Sequence, residues 1–504
     1  MMEKYYLGFD AGTQSVKVAV YDQNMQCIAK SSNQTTLTFP HPGWVEMDAD
    51  EYLALTKLGM KQCIQQLEKM QIDPGLIKAI MGDGIICGIV GIDERGKAIT
   101  PYINYLDSRT QNDAEILKKM DLDIWGEETG NADPSCMFPA LQARWLLANN
   151  KAFQEKGEKF VHNAPYILLN LAGLNSKDAF IDWGAMSGWG LGYRVYEKEW
   201  SEEQLAILGI DKGYLPKIVR PWDIIGVLSE EVAQETGCPV GIPICAGAGD
   251  TMQSILGSGI LEANKAVDVA GTCAMFCVST NGIIPELSQK GSELIFNSGT
   301  LENTYFYWGF VRTGGLALRW FKDNICQKAE DDSYYQWLSK GAEEVAPGCN
   351  GVIFLPYLTG GYGEFSNVKG SFLNMTLDTD QFVLWRAVLE AIAYEYMEIT
   401  DAYRNAGIEI NRLTITEGGS SDDLWNQIKA DVMRSEAITL EIAGGAVLTN
   451  CIIAAYANGD IENLKDALAG TYNITNTYRA NVTNSRIYEN HYRYQKEVLN
   501  KLGC

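Results

Sequence analysis

Two segments of this chain repeat one plan: an apolar strand, a glycine–threonine turn, and a second strand. The first runs from Tyr6 to Val20 and turns at Gly12-Thr13; the second runs from Ala266 to Phe276 and turns at Gly271-Thr272. Glycine lets a backbone close around an anion, and threonine adds a hydroxyl beside exposed N–H groups. One such turn early in each half predicts two related lobes with a phosphate-handling cleft between them, and so a chain that uses ATP. Strand-like runs alternating with helical spacing place the whole in the α/β class. The first lobe is expected over residues 1–247 and the second over 248–504.

Length and charge narrow the field. A chain of 504 residues exceeds one ordinary core, so two large domains are expected. The formal charge of −23 argues against a nucleic-acid partner, because phosphate backbones reward Lys and Arg. The 12 cysteines show no metal-ligand spacing and read as reduced thiols, and the 3 histidines, His41, His162 and His491, are far apart. There is no secretory pattern at the start and no apolar run approaching the roughly 20 residues that cross a bilayer. A cytoplasmic protein without a membrane partner is the expectation.

Along the chain, residues 5–21 read as a hairpin and 26–30 as a further strand. Asp48 to Met70 has helical spacing, with Leu53, Leu55, Leu58, Cys63, Ile64 and Leu67 as inward positions. Ile77 to Ile92 is apolar but carries glycines at 82, 84, 88 and 91, which signal a bulge or a close backbone approach. Phe180 to Tyr193 reads as a wall or loop beside a cleft. Helices are expected over 316–324, 385–406, 425–433 and 443–457, and a glycine-rich loop over 359–363.

Certain residues carry the chemistry. Asp10 ends its strand before Gly12, Thr13, Gln14 and Lys17; a carboxylate there suits Mg²⁺, which prefers few protein ligands. The bland alternative is an Asp that binds its own turn. Asp250, in Gly247-Ala248-Gly249-Asp250, ends an apolar strand, where an acid suits a cleft better than a core; it also suits a helix cap. Glu417-Gly418-Gly419 lies between a strand and a helix and offers flat backbone to a ribose or base. Gly314-Gly315 is a similar, weaker feature. Asp107 and Arg109 form a polar cluster, equally readable as an exposed turn.

Taken in order, Asp10-Ala11-Gly12-Thr13 with Lys17, Asp107-Ser108-Arg109, Gly249-Asp250, Gly271-Thr272, Gly370-Ser371-Phe372 before Arg386–Glu390, and Gly418-Gly419 followed by Trp425 and Asp431 resemble the FGGY carbohydrate kinases over nearly the whole chain. The resemblance implies two ribonuclease-H-like lobes of the actin and hexokinase type closing over ATP, Mg²⁺ and a small sugar or polyol. It implies Asp250 as general base, Asp10 and Asp250 on the metal, and Asp10, Thr13, Gln14, Lys17, Gly271 and Thr272 on the phosphates. Gly315, Gly418, Gly419 and Asp423 fall on its nucleotide side, and Ile86, Cys87, Asp107 and Met137, with Asp250, on its sugar side.

The chain also departs from the family pattern. Ile85-Ile86-Cys87-Gly88 stands where xylulose kinases carry Gln-Met-His-Gly, Thr251 where Asn or Gln is common, and Gly360-Gly361-Tyr362-Gly363-Glu364 where Gly-Glu-Arg-Thr-Pro is usual. Lost polar groups remove hydrogen bonds that discriminate between substrates. The expected reaction is ATP-dependent phosphorylation of a primary hydroxyl on a small open-chain sugar or polyol, a xylulose-type ketose first. Phe372-Leu373-Asn374 and Arg319-Trp320-Phe321 resemble the quorum-signal kinases of the same family, which makes a signal-like polyol the alternative acceptor. A non-catalytic nucleotide-dependent sensor and a chaperone-like ATPase are the rivals, and the pattern admits a homodimer.

Overall fold

The computed structural model describes residues 3–271, 274–311, 313–358, 360, 365, 367–441 and 445–502. The elements that position the sites are, in chain order, β1 (Tyr5–Ala11), β2 (Ser15–Asp22), β3 (Cys27–Gln34), α1 (Ala49–Lys69), β4 (Ile77–Gly84), α2 (Asn163–Leu171), β5 (Ile224–Val227), β6 (Pro243–Cys245), β7 (Ala248–Gly249) and α3 (Asp250–Gly257). They continue with β8 (Lys265–Ala270), β9 (Ala274–Thr280), α4 (Gly314–Trp320), α5 (Gln381–Asn405), β10 (Arg412–Thr416), α6 (Asp423–Met433), β11 (Glu436–Leu440), α7 (Ala446–Ala457), β12 (Ile474–Tyr478) and α8 (Val482–Leu502).

The chain divides into two compact units. The first comprises residues 1–261, 281–306 and 445–471, and the second 262–280, 307–444 and 472–504. A single cut at residue 247 therefore differs from the observed division, because two later segments return to the first unit. The return of α7 has a local cause. Its turn at Val447 lies so close to β1 that a β-carbon on Gly8 would stand 2.8 Å from the Val447 carbonyl oxygen.

Each unit contains a sheet of one design. In the first, strands run in the order β5-β6-β4-β1-β2-β3, with β7 also paired to β4. β1 and β2 form an antiparallel hairpin, and β4 runs parallel to β1 on its other side. In the second, the run β9-β8-β10-β11-β12 is part of a sheet of seven strands. Again a hairpin, β8 and β9, is extended by a strand parallel to its first member. The repeated theme in the sequence is thus a repeated sheet design.

Helix α1 starts where the sequence indicates, with the Asp48 side chain accepting from the amides of Asp50 and Glu51. Its buried face includes the expected Cys63, Ile64 and Leu67, and Leu53 and Leu55 pack at its margin. Tyr52, Thr56, Gly59, Met60, Cys63, Ile64 and Leu67 are buried, while Leu53 and Leu55 are half-buried and Leu58 is exposed. Leu58 is the expected position that faces out, and its neighbour Gly59 is needed where the helix crosses β2: a β-carbon there would stand 2.5 Å from a Val18 methyl.

The Phe180–Tyr193 stretch is core rather than an open loop. It folds into a strand, Phe180–Asp182, and a short helix, Trp183–Ser187, both buried. Asp182 caps that helix, its Oδ1 accepting from the amides of Gly184 at 2.8 Å and Ala185 at 3.0 Å. Burial pushes its carboxyl up to about 7, against the pull of those amides. The native state thus favours the neutral acid. The stability this contributes is present below the usual Asp range, near 4, and is lost as pH rises through about 7. Asp182→Asn keeps a capping oxygen and removes the charge. Thermal melts should show the variant more stable than wild type at pH 8, by up to ~4 kcal/mol, with the gain shrinking toward pH 4. Equal melting temperatures at pH 8 would contradict this.

Candidate functional site

The end of β1 in the first unit is held from several directions. The Phe9 carbonyl accepts from Asn450 Nδ2 at 2.9 Å, Ala11 from Asn163 Nδ2 at 2.8 Å, Gly12 from the Tyr52 hydroxyl at 3.1 Å, and Thr13 from Thr35 Oγ1 at 2.6 Å. Side chains from α7, α2 and α1 thus take up the carbonyls of the turn. Among the turn's side chains, Thr13 is half-buried, and Gln14 and Lys17 are exposed.

Three carboxylates gather at this edge. Asp10 pairs in register with Lys17 on β2 and with Asp83 on β4, and its Oδ2 lies 3.4 Å from Lys17 Nζ. Strand β7 places Ala248 beside Asp83, so that α3 begins at Asp250 next to both acids. Asp250 Oδ1 accepts from the Thr251 amide at 2.6 Å and the Thr251 hydroxyl at 3.2 Å. Burial, and then the Asp10 charge, push Asp250 up to about 7, against the pull of Thr251 and Lys17. Gly249 is required here: a β-carbon would stand 2.0 Å from an Ile86 methyl.

Asp83 has no counterpart among the sequence-derived site residues. It is fully buried, its Oδ2 accepts from Asn450 Nδ2 at 2.5 Å, and its Oδ1 has no hydrogen-bond partner among the described residues. A chain of bonds continues through Gln253, which donates to Asn450 at 2.6 Å, to Thr300, which donates to Gln253 at 2.8 Å. Burial beside Asp10 and Asp250 raises the Asp83 carboxyl well above the usual range. The available signal was an acid between glycines 82 and 84 in an apolar strand.

The edge suits a divalent cation that keeps most of its water. Asp10 and Asp250 are partly exposed carboxylates, and no group of three or more metal-ligating side chains is present among the described residues. Mg²⁺ typically takes one or two protein carboxylates together with substrate phosphates.

The residues expected near a sugar are placed differently from one another. Ile86 and Cys87 are buried, Ile86 lending its carbonyl to His162 Nε2 at 2.8 Å and Cys87 directing its thiol at the Gly188 carbonyl. Burial pushes His162 down to about 4, so it is neutral. Met137 is half-buried. Asp107 is fully engaged: Oδ1 accepts from the Arg109 amide and Nε, and Oδ2 from the Val45 amide and Arg109 Nη2. Arg109 also pairs with Glu46 at 2.7 Å and lies 3.9 Å from the Trp44 ring centroid. Asp107 and Arg109 thus form a buried clamp.

The second unit contains a cavity of about 340 Å³ lined by Gly271, Gly315, Arg319, Gly418, Gly419 and Asp422, with aromatic walls from Tyr335, Trp385 and Trp425. The Gly315 amide donates to the Gly271 carbonyl at 3.1 Å, which joins the phosphate-type turn to the start of α4. Asp423, expected on this side, instead accepts from the Tyr478 hydroxyl at 2.5 Å, and its neighbour Asp422 lines the cavity. Glu417 sits at φ 59° and ψ −161°, a region that residues other than glycine rarely occupy and that clusters at ligand sites. Thr272, and Thr359 and Gly361 to Glu364 in and after the expected glycine-rich loop, lie outside the described residues.

The two adjacent glycines have different roles. A β-carbon on Gly418 meets nothing within 4 Å, whereas one on Gly419 would stand 2.4 Å from the Ala270 β-carbon and 3.0 Å from the Trp425 ring. Gly419→Ala should therefore cost about 1–3 kcal/mol through overpacking, read as a lower melting temperature. Gly418→Ala should melt like wild type. The reverse ranking of melting temperatures would show the floor to be assigned wrongly.

The first unit thus carries acids at a strand end, and the second, built on the same hairpin-plus-parallel-strand design, carries a glycine-floored, aromatic-walled cavity. Residues 5–257 match the FGGY family of carbohydrate kinases, N-terminal domain, and residues 266–458 match its C-terminal domain; the chain belongs to this family. It is 27% identical to a gluconokinase of Bacillus subtilis, over 94% of this chain and 92% of the relative. It is 25% identical to a xylulose kinase of Staphylococcus epidermidis, over 99% and 97%. Its fold matches that of a xylulose kinase from Rhodospirillum rubrum with a TM-score of 0.87 at 23% identity, covering 99% of each chain. It also matches Plasmodium falciparum glycerol kinase with ADP, at 0.88 and 20% identity, covering 98% of each. The chain is an ATP-dependent carbohydrate kinase. Among the described residues no helix is long and apolar enough to cross a membrane.

Proposed function

We propose that this kinase phosphorylates a primary hydroxyl of a small, uncharged open-chain sugar, a xylulose-type ketose first. The observation that carries the reading is Asp250: an acid at the start of α3, beside Asp10, pushed up to about 7. A general base works best with a pKa near the operating pH. Asp250 takes the proton of the acceptor hydroxyl as its oxygen attacks the γ-phosphorus of ATP, and the β–γ bridging oxygen leaves with ADP. Lys17 and the turn that follows Asp10 would stabilise the charge that develops on the transferred group. Asp10 and Asp250 would hold Mg²⁺, which when bound neutralises phosphate charge. The cavity of the second unit takes the nucleotide, its base among Tyr335, Trp385 and Trp425 and its phosphates toward Gly271.

A sugar acid is the second reading, favoured by the gluconokinase relative. A carboxylate substrate asks for a cation. Among the acceptor-side residues Ile86, Cys87 and Met137 carry no charge, His162 is neutral, and Arg109 is consumed by Asp107 and Glu46. That balance favours a neutral ketose. An ATP/ADP-coupled screen over ketoses, polyols, sugar acids and quorum-signal polyols tests the reading. Xylulose or a close ketose should give the highest kcat/KM. A preference for gluconate would replace the acceptor class, and no turnover on any of these would favour a nucleotide-dependent sensor.

A further inference from the structure

Behind the cavity floor of the second unit lies a fully buried ion pair that the reaction does not use. Lys429 Nζ on α6 lies 2.5 Å from Asp268 Oδ2 on β8, and both side chains are completely inaccessible. The Tyr396 hydroxyl, from α5, donates to Asp268 Oδ1 at 2.7 Å. The same Lys429 ammonium lies 3.6 Å from the centroid of the Trp425 indole. Trp425 in turn packs against Gly419, and Gly419 against Ala270, two residues along β8 from Asp268. The contacts close a ring: Asp268, Lys429, Trp425, Gly419, Ala270, and back along the strand to Asp268. One side of the ring leads directly to Gly271, and the other carries the glycine floor. A buried ion pair is weak evidence for stability, since an apolar pair of the same shape often does as well. Fixing the relative placement of two elements is its better-attested use.

We propose that Lys429 and Asp268 are positioning residues that fix the distance between the phosphate turn at Gly271 and the base floor at Gly418-Gly419, so that one nucleoside diphosphate engages both. This rests on the reading of the cavity as the nucleotide site. Two contacts held at the correct spacing act on a two-part ligand as linked sites, the second binding at high effective concentration. A ligand that uses only the floor gains nothing from the spacing. Loss of the pair should therefore weaken ADP and spare adenosine.

The informative variant replaces both charges, Asp268→Asn with Lys429→Met, because either single change leaves a buried charge without its partner. Calorimetry with MgADP and with adenosine reads the effect. The expected result is a loss of about tenfold in MgADP affinity, adenosine affinity unchanged within about twofold, and an unchanged acceptor KM. A parallel fall in both ligands, or no fall in either, would overturn the proposal, since the pair would then be ordinary core. If the double variant does not fold, Tyr396→Phe decides. It loosens Asp268 without exposing a charge; a lowered ADP-to-adenosine affinity ratio supports the proposal, and an unchanged ratio removes it. Gly418→Ala protein that binds MgADP as tightly as wild type would instead remove the nucleotide assignment itself.

Discussion

Asp250→Asn should leave MgATP bound and reduce sugar-dependent ADP release by about 10²–10⁴-fold. The substitution is nearly isosteric. Its amide retains an oxygen for the Thr251 amide, which the carboxylate holds at 2.6 Å, so α3 keeps its start. What is lost is the capacity to accept a proton from the acceptor alcohol. Removing a charge that burial and Asp10 both disfavour should also leave the fold as stable or more so. The combination of near-zero turnover, intact nucleotide binding and an undiminished melting temperature separates a base from a structural cap. Turnover within tenfold of wild type would take Asp250 out of the role, and a lowered melting temperature with proportionate loss of activity would make it a cap alone.

Lys429→Met by itself should destabilise the protein by about 3–5 kcal/mol. The single change leaves the Asp268 carboxylate in a site with no exposure, with Tyr396 as its remaining side-chain partner among the described residues. It also removes the cation from the Trp425 face, a contact worth up to ~2 kcal/mol when desolvated. Denaturant unfolding should place the loss in the transition that reports on the second unit, and adding Asp268→Asn should recover most of it. If the double variant is no more stable than the single one, the two charges are not coupled and the ring of contacts does not act as one body.

Much of the fold was legible because its signals are local. The turn at Gly12-Thr13 and the helical spacing over α1, α5 and α6 are patterns within a few residues, and each produced its element. The inward face of α1 was legible at Cys63, Ile64 and Leu67, while the outward turn of Leu58 and the burial of Thr56 and Gly59 were not. Close approach to β2 selects glycine and threonine over leucine, and only the packing shows which face meets the sheet.

The acid site divides in the same way. Asp10 and Asp250 could be named because each ends a strand beside glycines, where an acid is out of place in a core. Asp83 was passed over because its importance comes from partners, not neighbours: it lies beside Asp10 through strand register and is held by Asn450, 367 residues away. Asp107 illustrates the converse, since its sequence context suggests a ligand contact while four bonds to Val45 and Arg109 occupy its carboxylate.

The sequence alone determined that this chain makes two sheets of one design, each with a glycine turn suited to phosphate, and that it is a carbohydrate kinase by family. Tertiary structure decided which acids meet, which of two glycines is floor and which is spacer, and that the segment 445–471 returns to the first unit. The physical reason is range. Backbone turns, caps and periodicity are set by residues adjacent in the chain, whereas hydrogen bonds and buried charges are set by whatever the fold brings within about 3 Å.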